Sequence, residues 1–172
     1  RYGKKMIDCF GDRVTWWLTF NEQNLYHMPE AFLISGYMRG DKTLRELYQI
    51  QHHVMMAHAH LTNYLHETKP GKLMGGMLAH AQVYPATCKP RDVFCARQLD
   101  EFFNQNLLRA FAGEGYSPEV MHFVDKAGLR DIYPDEDLAV LATMKNDYMA
   151  FSYYASRTLD SDPIPQDTPV NN

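Results

Sequence analysis

The sequence predicts an α/β protein whose strands run parallel. Strand-like and helix-like segments alternate along its 172 residues, the order expected of β-α-β units. The first strand-like run, "RVTWWLTFN", is apolar on both parities, as a strand covered on both faces is. Between it and the next strand-like run lies a long helical pattern, residues 43–67, the kind of crossover that parallel neighbours need.

The first run, residues 13–21, is rich in Val, Thr, Trp and Phe, which suit a pleated surface. Trp16 and Trp17 read as core. The run ends in Asn21-Glu22, and a carboxylate is costly to bury unless it is paired or working. Taken alone, Glu22 reads as an exposed strand-end carboxylate. A loop follows to residue 43, punctuated by Pro29, Gly36 and Gly40. Over residues 43–67, Leu44, Leu47, Tyr48, Val54, Met55, His58, Leu61 and Leu65 form one apolar helical stripe. Thr43 with Glu46 makes a capping-box pattern, and Pro70-Gly71 stops the helix.

"KLMGGMLAHAQVYP" is the second strand, in which Gly75 and Gly76 mark a bulge or a close approach. Residues 91–112 form a second long helix with Val93, Ala96, Leu99, Phe103, Leu107 and Ala110 on one stripe, closed by Gly113. A third helix runs from the cap Ser117 through Pro118 to Gly128. Asp135-Glu136-Asp137 reads as the solvated first turn of another. "DYMAFSYYAS" is the third strand, and residues 160–172 are a polar, proline-rich tail or loop. Three strands cannot hide their own edges, so self-association through exposed sheet edges is expected.

The chain is 45% apolar and 22% charged, ordinary globular usage that can supply one core. A net charge of -4 and a pI near 6.0 leave no electrostatic footprint for nucleic acid or an anionic membrane. No apolar run approaches the roughly 20 residues of a membrane helix. The basic opening "RYGKKMIDCF" has no apolar core behind it, so it does not read as a signal peptide but as the middle of something. Cys9, Cys88 and Cys95 are odd in number and lack C-x-x-C spacing. They read as free thiols, which fit a reducing cytoplasm. His52, His53, His58, His60 and His66 crowd one helix, but no two are four apart, so no H-x-x-x-H pair forms on one face for metal.

Several of these stretches together resemble glycoside hydrolase family 1. "RVTWWLTFNEQN" is similar to its acid/base strand V-K-x-W-x-T-x-N-E, with Thr15 in place of the Lys. "HHVMMAHA" resembles H-H-x-x-x-A-H-A on the next helix, "VYPAT" the Y-P at the following strand end, and "GEGYSP" the G-x-Y-P loop with Ser117 inserted. "NDYMAFSYYAS" resembles D-F-I-G-x-N-Y-Y, with Ser152 replacing the Asn. That F-S-Y-Y-x-S form is typical of the 6-phospho-β-glucosidase branch. The motifs keep the family's order and span nearly the whole chain.

The resemblance implies a partial (β/α)8 TIM barrel: residues 1–172 as the central fragment of a single glycosidase domain, holding strands four to six. A complete barrel takes about 250 residues. Retaining glycosidases use two carboxyl groups about 5–5.5 Å apart, and a carboxyl beside another carboxylate has a raised pKa and serves as an acid. The resemblance gives Glu22 the general acid/base role, Asn21 a hydrogen bond to the sugar 2-hydroxyl, and Tyr153 a hydrogen bond to the nucleophile. Alternation points Asn21 and Glu22 to opposite faces, so the strand must bulge or bend there. The nucleophile's E-N-G motif and the phosphate-binding loop are expected beyond residue 172, leaving this chain inactive by itself. The implied substrate is a β-glucoside, in this branch a 6-phosphorylated disaccharide or aryl glucoside, cleaved without metal or organic cofactor. A β-glucosidase or 6-phospho-β-galactosidase of the same family, or a non-catalytic α/β sugar-binding scaffold, are the rival readings.

Overall fold

A computed structural model describes residues 1–28, 41–166 and 168. Pro29, Gly36 and Gly40 of the expected first loop, and residues 167 and 169–172 of the tail, lie outside the described residues. Helix α1 (Tyr2–Phe10) precedes strand β1 (Trp16–Leu18). A 3-10 turn (Gln23–Leu25) leads toward helix α2 (Leu44–Thr68), which delivers the chain to β2 (Leu73–His80) and β3 (Val83–Pro85). Then come α3 (Pro90–Asp100), a π-helical segment (Glu101–Gln105) and α4 (Asn106–Phe111). Helices α5 (Pro118–Lys126) and α6 (Asp135–Thr143) precede β4 (Tyr148–Tyr153) and β5 (Arg157–Leu159).

The main sheet is parallel in the order β1-β2-β4, with Leu18 opposite Gly75 and His80 opposite Tyr153. β3 and β5 pair in parallel as a second, two-stranded sheet. Each main strand is thus reached through helices from its neighbour, the β-α-β pattern of a partial barrel. The single strand expected over residues 72–85 is two. It breaks at Ala81, whose carbonyl accepts from the Asn104 side chain at 2.9 Å rather than continuing a ladder.

Local signals set the helix ends. The Thr43 hydroxyl accepts from the Glu46 N–H, and the Glu46 carboxylate accepts from the Thr43 N–H at 2.8 Å, a complete capping box. Ser117 accepts from the Val120 N–H. Gly113 (φ 83°) follows α4 in the left-handed region that favours glycine.

Strand alternation sorts the sheet into two faces. Trp17, Met74, Leu78 and Gly76 point to the helices, where Met55 and Ala59 of α2, Leu107 and Phe111 of α4, and Leu141 of α6 close the core. Trp16, Gly75 and Tyr148 lie on the other face, where the Trp16 and Tyr148 rings meet edge to face at 5.0 Å. The expectation that β1 is covered on both faces does not hold among the described residues. Trp16 is 62% exposed and Leu18 48%, because no described element covers that second face.

The two strand glycines are close approaches, not bulges. A Cβ on Gly76 would lie 2.6 Å from the Phe111 ring, which is fully buried. Gly76→Ala therefore forces ring or strand aside. A loss of about 1–3 kcal/mol, read as a lower urea midpoint, is the expected result.

Candidate active site

Because the strands are parallel, the C-terminal ends of β1, β2 and β4 share one rim. In parallel α/β barrels that rim carries the chemistry. Glu22 lies there, past the last paired residue of β1. It has φ 45° and ψ 57°, the only non-glycine positive φ among the described residues. A left-handed non-glycine residue costs about 1–2 kcal/mol, and such strain persists where surrounding contacts over-determine it.

Those contacts come from the next two residues. Gln23 and Asn24 are fully buried. The Asn24 amide accepts from the Ala79 N–H at 2.8 Å and donates to the Ala79 carbonyl at 2.9 Å and the Phe103 carbonyl at 3.0 Å. The Gln23 side-chain oxygen accepts, more loosely, from the Met77 N–H at 3.4 Å. Buried amides that are fully paired hold their segment firmly, since breaking one leaves a desolvated group unsatisfied. The chain therefore does bend after β1, by a left-handed residue rather than by a bulge. Asn21 is exposed and Glu22 half-buried. Among the described residues the Glu22 carboxylate makes no hydrogen bond and no ion pair, so it is available to a ligand.

Behind the turn, Thr19, His58 and Asn146 form a chain. The Thr19 hydroxyl lies 2.6 Å from His58 Nδ1, and His58 Nε2 lies 2.9 Å from Asn146 Oδ1. With Nε2 donating to Asn146, Nδ1 accepts from Thr19, so one neutral tautomer makes both bonds. Burial pushes the His58 pKa down to about 4, opposed only weakly by the bond to Asn146. This chain ties the end of β1 to α2 and to the residue pair that opens β4. Alongside it, Asp147 accepts from the Met74 N–H and the His66 ring, each at 2.8 Å.

Tyr153 departs from its expected direction. Its register partner is His80, and alternation places both with Met149 and Phe151 on the helix-bearing face, opposite the face of Ser152. The His80 and Tyr153 rings stack at 6.0 Å, and the Tyr153 hydroxyl lies 2.8 Å from the Ser156 hydroxyl. The side chain that would face the barrel interior is thus not Tyr153, because a residue one step along a strand changes face.

Asp135 and Glu136 are exposed, as a solvated helix start should be, but Asp137 turns inward to buried His52 at 3.0 Å. Among the described residues, no group of three or more His, Cys, Asp or Glu is placed to hold a metal ion. No helix among them is long and apolar enough to cross a membrane. The roles of Gln23, Asn24 and Asn146 were not foreseen from sequence. The available signal was two amide residues directly after an apolar strand, which must find partners if they are buried.

Parallel strands joined through helices, with a half-buried carboxylate at their C-terminal rim, define the class: a segment of an α/β barrel. The comparisons agree. The chain belongs to glycosyl hydrolase family 1, whose family model matches residues 1–172. It is 35% identical to the 6-phospho-beta-glucosidase AscB of Escherichia coli, over 91% of this chain and 33% of that protein. It is 31% identical to the aryl-phospho-beta-D-glucosidase BglH of Bacillus subtilis, over 95% of this chain and 35% of that protein. The fold matches a family 1 β-glucosidase from Thermotoga maritima with a TM-score of 0.77 at 24% identity, over 95% of this chain and 36% of that one. The chain thus spans about a third of the length of the relatives it matches.

Proposed function

We propose that this chain is the acid/base segment of a cytoplasmic retaining β-glucosidase acting on 6-phosphorylated β-glucosides. One observation carries the reading: at the rim of parallel strands, Glu22 is held in a left-handed turn, and among the described residues its carboxylate has no hydrogen-bond or ion-pair partner. A general acid needs that freedom, because its proton must go to the substrate and not to a neighbour. Glu22 donates a proton to the departing glycosidic oxygen, then takes one from the water that releases the sugar. Asn21, exposed beside it, binds the sugar 2-hydroxyl. A second carboxylate, outside this chain, attacks the anomeric carbon.

The phosphorylated substrate is supported by the phospho-β-glucosidase relatives above and by Ser152 in its F-S-Y-Y context. The cytoplasmic setting is supported by the free cysteines, of which Cys9 and Cys88 are exposed. The test is hydrolysis of p-nitrophenyl-β-glucoside 6-phosphate beside the unphosphorylated compound, by the complete enzyme that carries this segment. Preference for the phosphorylated compound is expected. Cleavage of the unphosphorylated compound alone would leave the reaction standing and overturn the branch. Cleavage of neither would bring the non-catalytic scaffold forward.

A further inference from the structure

We propose that Asn24 is a positioning residue for Glu22: its side-chain amide replaces a missing stretch of strand and so fixes the turn that aims the carboxylate. The proposal rests on the acid/base reading of Glu22. β1 pairs with β2 only as far as Leu18 opposite Gly75, yet β2 runs on to His80. Along a strand, alternate residues turn their N–H and C=O groups to the same side. Past Gly75 the groups of Met77 and Ala79 therefore face the lane that β1 has left.

Asn24 fills that lane. Its oxygen accepts from the Ala79 N–H and its nitrogen donates to the Ala79 carbonyl, at 2.8 and 2.9 Å. That is the pair of bonds an adjacent strand would make from two successive peptide groups. The amide's second N–H donates to the Phe103 carbonyl, which the π-helical segment presents toward it. Such segments are often found at functional sites. All the hydrogens of the amide are used, and Asp or Leu in its place could not make the two donated bonds.

The chain is therefore pinned to β2 firmly at two points, by backbone at Leu18 and by side chain at Asn24, with only the longer Gln23–Met77 bond between them. Residues 19–23 must close the gap between the pins, and Glu22 takes the left-handed conformation that closes it. Without the second pin, Glu22 is free to relax to a right-handed or extended conformation, which turns its side chain away. Asn24 touches no reacting atom in this account and acts through Glu22 alone.

The test uses the complete enzyme and two glucosides from the series it accepts, one with a dinitrophenyl and one with an alkyl leaving group. A dinitrophenolate departs without a proton, whereas an alkoxide needs the acid. Asn24→Ala is expected to lower kcat on the alkyl glucoside by roughly 10- to 100-fold, a part of the usual worth of general acid–base catalysis. The step that forms the glycosyl-enzyme from the dinitrophenyl glucoside should hold, and KM should change little. Equal losses on both substrates, or none on either, overturn the proposal. If Asn24→Ala does not fold, Asn24→Asp, which keeps the acceptor and loses both donors, is expected to show the same leaving-group signature. Glu22→Gln is measured alongside. If it lacks the signature, the acid/base reading fails and takes this proposal with it. If it shows the signature and the Asn24 variants do not, only the positioning role fails.

Discussion

Glu22→Gln is expected to lower kcat/KM on an unactivated glucoside by roughly 10²- to 10⁴-fold, the usual contribution of a positioned acid/base. That is about 3–5 kcal/mol of transition-state stabilisation. The variant keeps the size and left-handed backbone of residue 22 but has no proton to give. Stability should be untouched, within about 0.5 kcal/mol, because among the described residues the Glu22 carboxylate has no internal bond to lose. A large activity loss at unchanged urea midpoint is thus the specific signature. A loss of activity that tracks a loss of stability would make Glu22 a structural residue, and retained activity would remove it from the mechanism.

The second large effect is on stability and comes from His58. Its ring is fully buried against the Phe111 ring at 5.2 Å and bonded to Thr19 and Asn146. In the folded chain it holds no proton until about pH 4, whereas its ordinary value is 6.5. Above about pH 6.5 His58 is neutral folded and unfolded, and its full contribution is present. Between there and about pH 4 the unfolded chain takes up a proton that the folded chain refuses, so stability falls as pH falls. Below about pH 4 both forms are protonated and the loss levels off. The whole shift amounts to about 3 kcal/mol.

Carboxylates titrate at the acid end of this window, so the comparison is with His58→Gln, which cannot take the proton. Urea unfolding at pH 7.5 and 4.5 is the measurement. The wild-type chain should be the more stable at pH 7.5, and its advantage should shrink by about 2–3 kcal/mol at pH 4.5. A difference between the two proteins that stays constant with pH would mean His58 is not buried neutral. Because His58 ties β1 to the start of β4, acidification should also loosen the turn that carries Glu22.

What the sequence determined by itself is what depends on near neighbours. The helix over 44–68 follows from an apolar stripe at helical spacing, and its start from the capping pair Thr43 and Glu46. Ser117 and Gly113 mark ends for the same local reason. Gly75 and Gly76 left a bulge and a close approach both open, and the ordered motifs gave the family and, by resemblance, Glu22 as the candidate acid. Only the tertiary structure decided the rest. Past Leu18 the lane beside β2 is taken by the side chains of Gln23 at Met77 and Asn24 at Ala79, 54 and 55 residues away, and no local pattern encodes that pairing. Tyr153 changed face because its register with His80 is set by β2. Asp137 is turned inward and half-buried because His52, 85 residues distant, offers a buried ring nitrogen. Propensity and capping act over a few residues and can be read along the chain. The partners of buried amides, rings and carboxylates are chosen in space, and they are what place the candidate acid at the rim.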